Sequence, residues 1–71
     1  MNDRDIVYEA IMTMSEAFVI KDSSYLKDDL GLCSFDMMSI IVLIEKKTNK
    51  CVDIELLGEN PTVLGLINSL R

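Results

Sequence analysis

Apolar residues recur at helical intervals in three stretches of the chain, and no pair of strand-like runs accompanies them. From Asp3 to about Met14, the stripe Ile6, Val7, Ala10, Ile11 and Met14 predicts an amphipathic helix. Arg4, Asp5 and Glu9 lie off that stripe, and Asn2 or Asp3 can cap its start. The second stretch, Ser34 to about Thr48, is the most apolar. Its Met37, Ile40, Ile41 and Ile44 keep the i, i+3, i+4, i+7 spacing and are expected to face the core. Asp36 in the first turn and Lys46, Lys47 and Lys50 at the end match the helix dipole. The third stripe, Val63, Leu66, Ile67 and Leu70, predicts the last helix. Either Asn60 caps it with Pro61 at the first helical position, or Thr62 caps it slightly later. Gly65 inside that helix costs roughly 1 kcal/mol relative to alanine, so packing must hold it.

The segments between are less regular. Ala17, Phe18, Val19 and Ile20 either extend the first helix by a turn or lie across the core. Lys21-Asp22-Ser23-Ser24 reads as a turn, and Tyr25, Leu26, Leu30 and Leu32 as anchors pinning a long loop to the helices. A connection of this length often carries function. Gly31 can take positive φ and sharpen the entry to the second helix. Cys51 to Leu57 offers a short helical turn or an extended link before Gly58. The expected fold is all-α: a single domain over residues 1–71, with three main helices and one short one.

Charge and cysteine usage narrow the chemistry. Twelve acidic residues against seven basic ones give a net charge of −5, which argues against nucleic acid and suits partners rich in Lys and Arg. The longest apolar run, Ile40 to Ile44, is too short for a membrane span. Asp3, Arg4 and Asp5 interrupt any signal-like start, so a cytoplasmic monomer is expected. Cys33 and Cys51 flank the central helix, about 20–25 Å apart at its rise per residue, so an internal disulfide is not expected. The chain has no histidine. Cys–His and Ser–His nucleophiles are therefore absent, two distant thiols hold no zinc, and an enzyme is not expected.

The elbow Asp28-Asp29-Leu30-Gly31-Leu32-Cys33-Ser34-Phe35 joins the long loop to the most apolar helix. Ser34 stands where an N-cap belongs, and a helix start favours an anion. Its hydroxyl is a plain cap or the attachment point of a phosphate. Phe35, Met38 and Val42 lie on a helix face next to the core-facing one, beside Ser34, Ser39 and Glu45. That face is either buried, in a helix surrounded on all sides, or an exposed partner surface.

These residues resemble the acyl and peptidyl carrier proteins. That family's Asp-Leu-Gly, one residue, then Asp-Ser-Leu is similar to Asp29-Leu30-Gly31, Leu32, Cys33-Ser34-Phe35, with the serine in register. Leu57-Gly58-Glu59-Asn60-Pro61-Thr62-Val63, with Leu66 and Leu70, is similar to the opening of the last helix in peptidyl-type carriers. The resemblance spans nearly the whole chain. It implies an acyl-carrier-like bundle in which Ser34 receives 4′-phosphopantetheine from coenzyme A through a phosphopantetheinyl transferase. The arm's thiol would hold an acyl or aminoacyl group as a thioester. Asp29, Phe35, Asp36, Met38, Val42 and Glu45 map onto the surface such carriers offer to partners. Those partners would be a loading ligase and the synthases or transferases of fatty-acid, polyketide, nonribosomal-peptide or related pathways.

Two departures stand out. Cys33 replaces the family's aspartate, and Ser39, Lys46 and Lys47 occupy positions often acidic in fatty-acid carriers. Both point to a specialised pathway rather than bulk fatty-acid synthesis. Phe35 also follows the serine in D-alanine carriers. The rival reading is an unmodified helical interaction module that uses the Phe35, Met38 and Val42 face.

Overall fold

Four helices form in the order α1 (Asp3–Met14), α2 (Ser34–Thr48), α3 (Ile54–Glu59) and α4 (Val63–Asn68), in a computed structural model that describes residues 2–71. No strand forms among the described residues; Tyr25 with Thr62 and Val52 with Leu70 make isolated antiparallel bridges. The fold is a small all-α one, as the periodicity predicts. Asn2 caps α1 by accepting the Asp5 N–H at 2.9 Å, and the helix ends at Ser15, whose N–H donates to the Ile11 carbonyl. Ile6, Val7, Ala10 and Ile11 are buried as expected, with Met14 packed at the edge. In α2, Ile40 and Ile44 reach the core, while Met37 and Ile41 are half-buried. Asn49 ends α2 in the left-handed region (φ 57°), a conformation asparagine tolerates better than most residues.

The segment Ala17 to Ile20 does not extend the helix, and it lies against the core only in part. The helix stops at Met14; Ala17 and Ile20 pack against the core, but Phe18 and Val19 face solvent. Serine at position 15 explains the stop, since its hydroxyl accepts the Ala17 N–H and donates to the Leu30 carbonyl. Leu26, Leu30 and Leu32 are buried anchors; Tyr25 is half-exposed and holds mainly by backbone, through its bridge to Thr62.

The long loop also completes α4. The Val63 and Leu64 N–H groups, unpaired within a helix at these positions, donate to the carbonyls of Ser24 and Asp22. Asp22 in turn receives both arms of the Arg4 guanidinium at 2.6 Å and the Tyr8 hydroxyl at 2.6 Å. These bonds, Arg4's first, hold the Asp22 carboxyl down at about 2. One aspartate thus ties α1, by its side chain, to α4, by its backbone.

At the other end, Thr62 caps α4 by accepting the Gly65 N–H. Asn60 instead closes α3, donating to the carbonyls of Leu56 and Leu57. The helical option for the Cys51–Leu57 segment is the one adopted, and the helix runs on through Gly58. Asp53 caps it through the N–H groups of Glu55 and Leu56. Gly65 is more than a propensity cost. A Cβ there would overlap the Asn60 carbonyl oxygen, so the absent side chain is what lets α4 close on the end of α3.

Packing is uneven. α1 lies against α2 and α4, and α3 lies against α4. Lys47 with Glu9 and Lys50 with Asp3 reinforce the α1–α2 seam. Among the described residues, α2 and α3 do not close on each other, and a groove separates them.

Candidate functional site

The site is assembled where the loop turns into α2. Gly31 has φ 68°, the left-handed conformation expected of it, and so bends the chain into the helix. Cys33, not Ser34, holds the N-cap position, in extended conformation. Ser34 is the first residue inside the helix, which corrects the expectation by one position. The cap bond runs from the Cys33 N–H to Asp36 Oδ2 at 3.2 Å and leaves the Ser34 hydroxyl out of it. Ser34 is exposed. Being displaced from the cap frees its oxygen, because a capping hydroxyl would be turned back onto the backbone.

Beside Ser34 the gap between α2 and α3 forms an open groove of about 440 Å³. Met37 and Ile41 line it from α2, Ile54 and Leu57 from α3, and Leu26 and Pro61 from the loops. Tyr25, Lys27 and Asp28 supply its polar lining, so the hydroxyl opens onto a largely apolar trough. The half-burial of Met37 and Ile41 has its cause here: they pack against the core and also line the open trough. Groove-lining Tyr25, Lys27, Ile54 and Pro61 were not among the sequence-predicted site residues. They come from three separate segments, and no periodicity links them to Ser34.

The outer face of α2 is exposed rather than enclosed. Phe35, Met38 and Val42 are 73%, 68% and 51% accessible, so the helix is not buried on all sides. The acidic residues predicted beside it have internal duties. Asp29 Oδ2 accepts the Tyr25 N–H at 2.7 Å, Asp36 answers Cys33, and Glu45 Oε2 accepts the Val52 N–H at 2.9 Å. Each carboxylate is positioned by the backbone it caps, with its second oxygen outside that bond. A second concavity, bordered by Glu16, Asp28, Asp29 and Asp36, lies on the other side of the elbow. Cys33 and Cys51 are free and exposed. No helix among the described residues is long and apolar enough to cross a membrane.

Set against known proteins, the chain matches no family model, no curated protein and no solved structure. The candidate site therefore rests on its own geometry.

Proposed function

We propose that the chain is a carrier protein: Ser34 takes a 4′-phosphopantetheine arm from coenzyme A, and the protein presents an acyl or aminoacyl group on that arm to partner enzymes. The observation that carries the reading is a serine hydroxyl exposed in the first turn of a 15-residue helix, at the edge of an apolar groove. The residues fit the group. A phosphodiester on Ser34 would lie at the positive end of α2, whose first-turn N–H groups lack helical acceptors. The apolar lining suits the reach of a pantetheine chain or a short acyl group, and Lys27 supplies a cation on the same groove. When bound, the arm supplies a thiol that holds cargo as a thioester.

The chain's own residues hold and orient. Gly31 sets the entry angle, Asp36 fixes the cap, and Phe35, Met38 and Val42 give partners an apolar surface next to the attachment point. Catalysis belongs to the partners: the transferase, a loading ligase and a downstream synthase or transferase, in the cytoplasm. The exposed apolar face equally favours a second reading, an interaction module that is never modified. Incubation with coenzyme A and the host's phosphopantetheinyl transferase separates them. The carrier reading expects a mass gain of one phosphopantetheine on wild type and none on Ser34→Ala. An unmodified wild-type protein would overturn it in favour of the interaction module.

A further inference from the structure

The groove beside Ser34 carries one cation among the described residues, Lys27. Of the seven basic residues, Arg4, Lys47, Lys50 and Arg71 pair with Asp22, Glu9, Asp3 and Asp53. Lys21 and Lys46 have no ion pair among the described residues, but neither lines the groove. Lys27 owes its place to a turn that is fixed at both ends. Leu26 and Leu30 anchor it in the core, and the Leu26 N–H donates to the carbonyl of Pro61, another lining residue. Within the turn the Tyr25 carbonyl accepts the Asp29 and Leu30 N–H groups, and the Lys27 carbonyl accepts the Gly31 N–H at 3.0 Å. Lys27 is therefore bonded, through its backbone, to the residue that bends the chain into α2. Charge around Ser34 is otherwise acidic. Asp28 lines the same groove, and Asp29 and Asp36 border the concavity on the other side of the elbow. A phosphodiester on Ser34 adds one more negative charge to that surround, and the start of α2 offsets it only in part.

We propose that Lys27 is the positioning residue of the loaded protein: its ammonium pairs with the phosphodiester on Ser34 and biases the arm into the groove between α2 and α3. This deepens the carrier reading and rests on it. Without that ammonium, Asp28 would repel the phosphodiester from the same groove. Lysine suits the task, because its flexible stem lets a compact charge follow an anion that is tethered at one oxygen. Lys27 is exposed, so the pairing adds little to stability but is enough to shift how often the arm lies in the groove. For the same reason added salt should weaken it.

Isotope-labelled protein, loaded from coenzyme A by the host's phosphopantetheinyl transferase, tests the proposal by NMR. On loading, the side-chain ammonium signal of Lys27 should move, while those of Lys21 and Lys46 stay in place. This readout is made on wild type and needs no variant to load. Contacts between the arm's methyl groups and Met37, Ile41 and Ile54 should fall about 3-fold in Lys27→Gln, the scale of an exposed ion pair. Lys27→Arg should restore them, and salt at about 1 M should lower those of wild type toward the Lys27→Gln level. Lys21→Gln changes the net charge equally from outside the groove and should leave the contacts unchanged. A Lys27 signal that does not move on loading overturns the positioning role and leaves the carrier reading intact. So does an equal loss of contacts in Lys27→Gln and Lys21→Gln, which would assign the effect to net charge. A wild-type protein that takes no arm overturns both.

Discussion

The two sides of α2 carry the same kinds of residue to opposite ends. Ile40 and Ile44 on the inner side are almost wholly enclosed by α1 and the loop, while Phe35, Met38 and Val42 on the outer side stand in solvent. The inner side belongs to a closed region in which each element supplies what its neighbour lacks. Asp22 and Ser24 answer the open amides of α4, and Gly65 makes room for Asn60. The outer side belongs to an open region, with the groove beside it, in which apolar surface is left uncovered. The difference teaches that hydrophobicity in this helix serves two purposes. One half is enclosed by folding; the other stays in contact with solvent.

Mutations can break or sharpen that contrast. The largest effect is expected from Gly65→Ala, because the added methyl meets backbone rather than a movable side chain. A loss of about 3–5 kcal/mol would remove roughly half the stability of a domain this size, about 4–10 kcal/mol, and urea denaturation followed by circular dichroism should show a much lower midpoint. Ile44→Ala, with no groove to collapse into, should cost about 3 kcal/mol in urea denaturation. Gly31→Ala is smaller: open space surrounds the position, so only the left-handed backbone resists, at about 1–2 kcal/mol.

Acid should act on the closed region through Asp22. Its carboxyl sits at about 2 in the folded protein against an ordinary 3.8, so between those values the unfolded chain binds the proton more readily. The stabilisation is present above about pH 4 and is lost as the pH falls through about 2. Denaturant midpoints measured at pH 4.5, 3 and 2 should fall more steeply for wild type than for Asp22→Asn. The smallest effect is expected on the open side: Phe35→Ser should shift stability by no more than about 0.5 kcal/mol. A loss comparable to that of Ile44→Ala would show that the outer face contributes to folding after all and would erase the contrast.

Much of the scaffold was legible in the chain. The 3.6-residue period placed α1 and the buried edge of α2, and Gly31 announced a conformation that its neighbours would resist. The C-terminal corner was less legible, for a specific reason. Asn60, Pro61 and Thr62 in succession offer two caps one turn step apart, and local preference ranks them closely. The tie was broken by Asn60 closing α3, a bond made to Leu56 and Leu57 before α4 begins. At the candidate site the Cys33 N–H bonds the Asp36 carboxylate, and the cap falls at Cys33 rather than Ser34.

What the sequence determined by itself is local: which segments wind into helices, where charge sits along them, and that a hydroxyl would stand near the start of the central one. Those features depend on neighbours within a turn, where spacing alone fixes geometry. Tertiary structure decided the rest. That α2 and α3 stay apart and leave a groove, that Lys46 is free while Lys47 and Lys50 are not, and that Gly65 is a contact point all depend on distances between segments remote in sequence. No periodicity encodes such distances; they are set only when the whole core closes.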